Sequence, residues 1–407
     1  MSIIVRPIDN DAEAAQHGFI SAYAFDGDRS EAAMALRSEY YPRDWLLGAF
    51  DGQELVAGLA IIPFEQFFEG VRIALGGIAS VSCLPERRRQ GFVGALLREA
   101  LVRMREAGQP LSALHTPHPA LYRRFGWETA GRAALYAFAP KRARPRVRPN
   151  GGAWRRVDAA SWTELNSVYE THYAPRNGAL SRDERRWRNH VFSDYGKGTH
   201  DAAVWFGDGG RARAYVVYRT QRKPVAGSFL AETTLRVIDW CALDAEAYAA
   251  VIGYLAGHDL ADKVIMFAPA EEPLGLALDD PSCIETPTAL WHGPMLRIVD
   301  VPHAIEARAA GVGGHGIEVV IEVGDETAPW NAGRWRIAAH AGRLSCVRSS
   351  QPAAAAMDVR GLAAIYNGAT CPEDAVRAGL IEADRRALDA LTALFATTYA
   401  PFCADDF

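Results

Sequence analysis

The chain has 407 residues, of which 49% are hydrophobic and 23% charged, a composition typical of globular proteins and not of disordered or collagen-like ones. This length predicts about two to three domains. The 44 Lys+Arg and 49 Asp+Glu leave a net charge of -5, which argues against general nucleic-acid binding and suits a cationic substrate. No apolar run reaches the roughly 18 residues that span a bilayer, and the N-terminal sequence lacks a signal-peptide layout. We therefore expect a cytoplasmic protein that binds neither membranes nor nucleic acid.

Six cysteines are scattered over the chain, and none belongs to a C-x-x-C pair. They are Cys83, Cys241, Cys283, Cys346, Cys371 and Cys403. This spacing favours reduced, packed thiols over a zinc site or a disulfide framework. His115 and His118 stand three residues apart around Pro117. Because a metal site needs more ligands than two, we expect no metal.

The first 140 residues alternate strand and helix patterns. Strands are predicted at 3–8, 46–50, 55–62, 71–75, 78–83 and 111–115. Asp51-Gly52 is a hairpin turn, and Gly76-Gly77 is interpreted as a joint between two strands. A helix is predicted at 93–104 because its apolar residues form one stripe. A strand-helix-strand crossover of this kind predicts an α/β sheet.

A basic, proline-rich run at 140–149 predicts an exposed linker, with a nucleic-acid or lipid patch as the alternative. The second segment repeats the strand-strand-helix-strand order at 213–219, 234–242, 245–257 and 263–267. The last segment begins near residue 295. It has strands at 316–323, 335–339 and 344–348 and helices at 359–366 and 384–399. The expected fold class is α/β (α+β), with domains at 1–140, 141–292 and 293–407.

The most informative stretch joins the strand at 78–83 to the helix at 93–104. It reads Pro85-Glu86-Arg87-Arg88-Arg89-Gln90-Gly91. Free amide groups and the helix dipole attract an anion at a helix start, and the arginines add positive charge. Gly91 removes a side chain where a phosphate approaches the backbone. Together these features predict a pyrophosphate as the ligand. The turn matches neither the Walker nor the Rossmann glycine pattern.

The run Arg88-Arg89-Gln90-Gly91 resembles the R-x-x-G turn with which GCN5-related N-acetyltransferases hold the pyrophosphate of acetyl-CoA. The resemblance implies acetyl-CoA as co-substrate, bound by this turn and by the strand before it. The residues implied are Val81, Ser82, Cys83, Arg88, Arg89, Gln90, Gly91, Phe92, Val93 and Gly94. The family pattern has Gly or Ala two residues after the glycine, whereas this chain has Val93 followed by Gly94.

Further stretches resemble the Eis-type acetyltransferases, which include multi-acetylating aminoglycoside N-acetyltransferases. They are Leu121-Tyr122-Arg123-Arg124-Phe125-Gly126-Trp127, WNAGRW around Trp330, LAAIYNG around Tyr366 and the terminal Asp406-Phe407. The resemblance spans nearly the whole chain. It implies tandem GNAT-like domains, a sterol-carrier-like C-terminal domain and a homo-hexamer. It also implies that the enzyme acetylates primary amines of a polycationic small molecule.

The resemblance assigns the two proton transfers of the reaction. It makes Tyr122 the acid that protonates the leaving thiolate, a task that a phenol can perform. It makes the α-carboxylate of Phe407 the base, delivered from the C-terminal domain. From the residues alone, Tyr122 can equally be a packed aromatic beside Phe125, and Phe407 the end of a frayed tail.

Other family positions are less clear in this chain. Pro117 and His118 stand where relatives carry a Ser-Glu-Gly-Gly stretch that contacts the cofactor, and Pro117 has no N–H to donate. Asp26 and Phe25 occupy the place of a substrate contact and can receive a cationic amine. Asp406 is a further candidate. A solvated loop is the alternative for Asp26.

Three other functions remain open at this point. The same residues can acetylate lysine side chains of proteins or peptides, for which a shallow channel would be expected. A lipid- or ligand-binding module would instead use an apolar tunnel in the C-terminal domain and bind no CoA. A nucleic-acid binder using the arginines of 141–148 would show steep salt dependence.

Overall fold

Alternating strands and helices occupy residues 3–131. The strands are β1 (Ile3–Pro7), β2 (Leu46–Asp51), β3 (Glu54–Phe68), β4 (Val71–Cys83), β5 (Leu111–Leu114) and β6 (Glu128–Thr129). The helices are α1 (Asp11–Ala24), α2 (Glu31–Tyr40), α3 (Phe92–Glu106) and α4 (Pro119–Arg123). Asn10 caps α1 by accepting a hydrogen bond from the amide of Glu13 at 2.9 Å. The computed structural model describes residues 3–194, 198–225, 227, 231–285, 290–308 and 316–407.

The sheet of this region is antiparallel from β1 to β4 and then parallel between β4 and β5. Helix α3 makes the crossover, and its predicted apolar stripe packs on the sheet with Leu96, Leu97 and Leu101 at 0% exposure. The prediction of two strands joined at Gly76-Gly77 is wrong, because β4 continues through both. Neighbouring side chains fill the space that side chains at these glycines would take: Met104 at Gly76, and Phe64 with Phe407 at Gly77.

A second unit spans Arg132–His292. Its strands are β7 (Arg132–Phe138), β8 (Ala153–Val157), β9 (Asn177–Leu180), β10 (Asp201–Phe206), β11 (Ala212–Pro224), β12 (Ala231–Ala242), β13 (Lys263–Pro269), β14 (Ile284–Glu285) and β15 (Leu290–His292). Its helices are α5 (Trp162–Tyr173), α6 (Glu184–Arg186), α7 (Ala245–Ala256) and α8 (Leu274–Ala277). The order β14-β7-β13-β12-β11-β10-β8 contains a parallel β12–β13 pair joined by α7, which repeats the β4-α3-β5 arrangement.

The proline-rich run is attached to this second unit. The sequence led us to expect a boundary after residue 140. Strand β7 pairs with β13, however, so the compact unit begins at Arg132. Within the run, Ala143 is buried in the core, and the amide of Arg146 donates to the Ala277 carbonyl at 2.9 Å. The run is therefore attached to the unit at Ala143 and Arg146, whereas most of its residues, including its arginines, are exposed as predicted.

The rest of the chain belongs to the same unit as residues 1–131. Its strands are β16 (Met295–Ile298), β17 (Glu318–Gly324), β18 (Gly333–His340), β19 (Arg343–Arg348), β20 (Ala355–Asp358) and β21 (Ile381–Ala383). Its helices are α9 (Val301–Ala307), α10 (Val359–Tyr366), α11 (Pro372–Arg377) and α12 (Arg385–Phe395). Strand β16 inserts between β5 and β6 in the first sheet, whereas the others form a sheet in the order β19-β18-β17-β20-β21. The predicted α/β class is confirmed.

Two sequence-based expectations about the whole chain can be compared with the described residues. Cys83, Cys241, Cys283, Cys346 and Cys403 are buried, as expected for packed thiols, whereas Cys371 is exposed. Among the described helices, none combines the length and the apolar character that crossing a membrane requires.

Candidate active site

The turn before α3 presents an open anion-binding surface. Gly91 is the N-cap of α3 with φ +96°, and no side chain caps the first amides of the helix. Among the described residues, a Cβ at Gly91 would meet only Ile3, at 3.5 Å, so these residues leave the approach to its backbone clear. Arg88, Arg89 and Gln90 are exposed beside it. Uncapped amides, a helix dipole and two guanidinium groups are features that attract phosphate groups.

The next three residues have different surroundings. Phe92 is buried in the core beneath α3, so only its backbone can serve a ligand. Val93 is half-buried and packs on the same core. A Cβ at Gly94 would lie 3.1 Å from the ring of Phe125, so glycine lets α3 approach the segment that carries Tyr122.

Strands β4 and β5 separate beyond their first three pairs. Pairing joins Leu75–Gly77 to Leu111–Ala113, and β4 then continues to Cys83. The predicted cofactor residues Val81, Ser82 and Cys83 lie on this diverging end. The side chains of Ser82 and Cys83 are 4% and 8% exposed. The β5-facing edge of this end therefore offers backbone groups, to which an extended ligand can pair as a strand does.

A β-bulge lies at the start of the diverging end, and sequence reasoning missed it. The β3–β4 register shifts between Gly58 and Ala60, opposite Ser80, whose φ is +54°. The Ser80 hydroxyl is 2.7 Å from that of Ser21 on α1, which in turn accepts from Arg37 of α2 at 2.6 Å. A serine in this backbone region carries strain. The contacts from two helices stabilise it, so the bulge is a built feature of the site.

His17 is a buried residue that contacts the bulge. Its side chain is 3% exposed and hydrogen-bonds to the main chain of Ser80. Burial, with a smaller contribution from the charge of Arg37, lowers the pKa of His17 to about 4. The ring is therefore neutral at ordinary pH. Its Nε2 has no hydrogen-bond partner among the described residues, and neither has the hydroxyl of Ser82.

Tyr122 lies on α4, in the segment that follows β5. Its side chain is 8% exposed, and burial raises the pKa of the phenol to about 12. The ring meets Trp127 edge to face, with centroids 6.3 Å apart. The phenol stays protonated through the neutral range and can only donate a proton there. Pro117 and His118 precede α4 in an exposed loop.

The end of the chain is packed and not frayed. Phe402, Cys403 and Asp405 are 7%, 5% and 1% exposed. The ring of Phe407 lies 5.0 Å from that of Phe64 on β3 and 5.4 Å from that of His115, which directly follows β5.

Phe407 is thereby brought to the point where β4 and β5 separate. A Cβ at Gly77, the last β4 residue paired with β5, would lie 2.9 Å from its ring. The glycine pair was visible in the sequence, but its role of making room for the chain end was not. Phe64 and His115 had no sequence signal that linked them to residue 407.

The remaining predicted residues are exposed. Asp26 follows the end of α1 with φ +50°, next to Phe25, which is 60% exposed. Neither makes a hydrogen bond or ion pair through its side chain with another described residue. Asp406 is exposed beside Phe407. The structure thus brings Phe407 to the separated strands, whereas Phe25 and Asp26 are exposed residues that follow the end of α1.

In the unit 132–292, the start of α7 corresponds to the start of α3, but its first turn is capped. Asp244 caps α7 by accepting from the amide of Ala247 at 3.0 Å, and Glu246 adds a second acidic group to the first turn. These carboxylates repel phosphate and occupy the amides that would bind it. Trp240 also donates its indole N–H across the β12–β13 separation to the Phe267 carbonyl at 3.3 Å. Of the two repeated strand-helix-strand arrangements among the described residues, the one with α3 has the uncapped helix start and the unpaired strand edge.

Three family models match separate parts of the chain. Residues 5–130 and 178–298 each match an Acetyltransferase (GNAT) domain, and residues 301–404 match a Sterol carrier protein domain. The matches agree with the repeated β4-α3-β5 and β12-α7-β13 arrangements. They also agree with the separate five-stranded sheet that precedes the chain end.

Relatives cover most or all of the chain. An uncharacterized N-acetyltransferase of Streptomyces coelicolor is 30% identical over 79% of this chain and 75% of its own length. The N-acetyltransferase Eis of Mycobacterium tuberculosis is 27% identical over 79% of this chain and 78% of its own. The crystal structure of Eis1 from Mycobacterium abscessus matches both chains completely, with 28% identity and a TM-score of 0.84. A GCN5-related N-acetyltransferase from Anabaena variabilis shares the fold over both full chains, with a TM-score of 0.89 at 24% identity. The chain is therefore an acetyltransferase enzyme that belongs to the Eis-type family of GCN5-related N-acetyltransferases.

Proposed function

We propose that the protein transfers the acetyl group of acetyl-CoA to primary amines of a polycationic small molecule such as an aminoglycoside. The observation that carries this proposal is the position of Phe407. Its ring lies between Phe64 and His115 where β4 and β5 separate, so the terminal carboxylate is carried to the same place as the open strand edge.

The cofactor is held from its two ends. Arg88, Arg89 and the amides after Gly91 take the pyrophosphate. The backbone of Val81–Cys83 pairs with the pantetheine arm as an added strand would. An amide of the bulge at Ser80 then points at the thioester carbonyl, where a fixed donor stabilises the charge that develops on oxygen.

The reaction removes two protons from the substrate nitrogen and adds one to the sulfur, and the site has a base and an acid for this. The Phe407 carboxylate removes a proton from the substrate ammonium, and the neutral amine attacks the thioester carbonyl. When the tetrahedral intermediate collapses, the C–S bond breaks and Tyr122 donates its proton to the sulfur. The nitrogen, which is cationic after the attack, gives its second proton to the phenolate so formed, and the Phe407 carboxyl group releases its proton to solvent. Burial raises the pKa of Tyr122 and acts in the same direction on a thiol that departs beside it, so the difference between the two pKa values does not widen by the full shift of the phenol.

Charge supports a cationic substrate. Residues 1–131 and 293–407 contain 23 Lys+Arg against 30 Asp+Glu, a net charge of -7, although the whole chain carries only -5. A negative potential of this kind raises the rate of encounter with a polycation. Asp26, Phe25 and Asp406 are exposed groups of the types that hold an ammonium group.

The larger organisation is also part of the proposal. We propose one active GNAT domain, a second GNAT-like domain without a site, and a sterol-carrier-like domain that delivers the chain end. We keep the expected division into 1–140, 141–292 and 293–407 but draw the first boundary at Arg132, and the pairing of β7 with β13 supports this choice. The homo-hexamer is proposed on the family resemblance, and a cytoplasmic location on the scattered spacing of the cysteines, which favours reduced thiols.

A thiol-release assay with acetyl-CoA tests the substrate class. The amines are a panel of aminoglycosides, polyamines and lysine peptides, each measured at several salt concentrations. We expect the highest kcat/KM with an aminoglycoside, and a fall in that value with salt because attraction between charges is screened. Turnover confined to lysine peptides would replace this proposal with protein acetylation. No release with any amine would refute it.

A further inference from the structure

One completely buried arginine on β16 holds three separate groups. Arg297 is 0% exposed, and its Nε donates to the main-chain carbonyl of Phe125 at 2.9 Å. Its Nη1 donates to the Ile298 carbonyl at 2.6 Å, and its Nη2 to both carboxylate oxygens of Asp325 at 2.8 and 2.6 Å. The guanidinium is therefore fixed in one orientation, and the orientation depends on Asp325.

Asp325 is itself immobilised by the C-terminal domain. Its Oδ1 accepts from the amides of Thr327 and Ala328 at 3.2 and 2.9 Å. Its Oδ2 accepts from Nδ2 of Asn331 at 3.0 Å, and Oδ1 of Asn331 accepts from the amide of Val301 at 2.9 Å. A carboxylate with this many donors is a rigid anchor for Arg297.

The carbonyl that Arg297 holds belongs to the turn that carries Tyr122. The Tyr122 carbonyl accepts from the amide of Phe125 at 2.9 Å and from that of Trp127 at 3.3 Å, which closes the turn. Gly126 has φ +90°, and a Cβ there would lie 2.6 Å from Nε of Arg297. The arginine thus packs directly on the bare backbone of Gly126, four residues after the tyrosine.

We infer that Arg297, fixed by Asp325, is a positioning residue for Tyr122 that sets where the phenol points. The inference rests on the proposed role of Tyr122 as the acid. It gives the C-terminal domain a second task in the reaction: besides delivering Phe407, the domain orients the acid through Asp325. A shift of about 1 Å in a reacting group can lower a rate by about 100-fold, so the bond from Arg297 to the turn controls turnover.

A double-mutant cycle between Arg297→Lys and Tyr122→Phe tests the inference. Lysine keeps the positive charge for Asp325 but has no Nε–H to donate to the turn. We expect Arg297→Lys to lower kcat about 10- to 100-fold, with the Kd for acetyl-CoA changed less than about twofold. In the Tyr122→Phe background the same substitution should change kcat less than about twofold, because there is no phenol left to orient.

Two further variants keep the test decisive. Gly126→Ala keeps both Arg297 and Asp325 but directs a methyl group to within 2.6 Å of Nε and 2.8 Å of Cζ of Arg297. It should displace the guanidinium from the turn and give the same non-additive pattern if Arg297→Lys does not fold. Arg336→Lys is the matched control, because Arg336 is exposed and pairs with Glu318 on the surface of the same domain. It should leave kcat unchanged.

The failure of this inference differs from the failure of the proposed function. Full additivity of Arg297→Lys and Tyr122→Phe, or unchanged kcat in a folded Arg297→Lys protein, overturns the positioning role alone. Wild-type turnover of Tyr122→Phe removes the acid itself, and the positioning role with it.

Discussion

Replacing Gly77 by alanine directs a methyl group at the two rings that hold the chain end. The new Cβ would lie 2.6 Å from the Phe64 ring and 2.9 Å from Cε2 of Phe407. Carbon atoms in contact prefer a separation of about 3.5 to 4.0 Å, so the Phe407 ring must retreat by about 0.6 to 1 Å. The last residue of the chain has the fewest restraints, and it moves first.

A displacement of that size moves the Phe407 carboxylate away from the position in which it can take a proton from the bound amine. We expect kcat to fall about 10- to 100-fold, with acetyl-CoA binding unchanged and a stability loss of about 1 to 3 kcal/mol from overpacking. Thiol release gives kcat, calorimetric titration gives the Kd for acetyl-CoA, and thermal unfolding gives stability.

Gly253→Ala is the control for this substitution. It makes the same chemical change on helix α7, where no neighbouring atom lies within 4 Å of the new methyl group. Wild-type kcat for Gly77→Ala would show that the position of Phe407 does not matter for turnover, and the proposed role of the chain end would be abandoned.

Three other predictions concern the cofactor turn, the bulge and a buried histidine. Arg88→Ala and Arg89→Ala should each raise the KM for acetyl-CoA about tenfold and leave kcat unchanged, because each removes a charge-assisted contact to phosphate; a changed kcat with normal KM would contradict this. Ser21→Ala removes the hydroxyl that holds Ser80 and should lower kcat about tenfold at constant acetyl-CoA affinity; unchanged kcat would exclude a role for the Ser21–Ser80 contact. The pKa of His17 is lowered to about 4 in the folded state, so below about pH 6.5 the unfolded chain binds a proton that the folded one does not. Stability should fall between pH 6.5 and 4 by up to about 3 kcal/mol. His17→Gln should flatten this slope in urea titrations, and an identical slope in the variant would show that His17 is not its source.

Local patterns predicted the parts of the site that are local in structure. The apolar stripe of α3, the glycine at its start and the exposed arginines before it are properties of one short stretch, and they lie where the pattern places them. Tyr122 lies on α4, the short helix that comes next after β5, so its segment was also visible. These features depend on hydrogen bonds and side-chain contacts within a few residues of each other.

Features that depend on distant residues could not be derived in this way. Gly77 looked like a joint between strands, because the ring that fills its space belongs to a residue at the other end of the chain. Ser80 adopts its strained backbone because Ser21 and Arg37 stabilise it across two helices. The pairing of β7 with β13 was hidden because the conspicuous proline run comes after that strand. Each of these outcomes was decided by packing between segments far apart in sequence.

Extending the chain by one glycine after Phe407 tests the central claim most directly. The extension leaves the Phe407 ring able to occupy its place between Phe64 and His115, but it moves the carboxylate away by one residue. The account predicts that kcat falls at least about 100-fold, as loss of a general base requires, while the Kd for acetyl-CoA stays within about twofold. Wild-type kcat in the extended chain would contradict the account, because the terminal carboxylate could not then be the base.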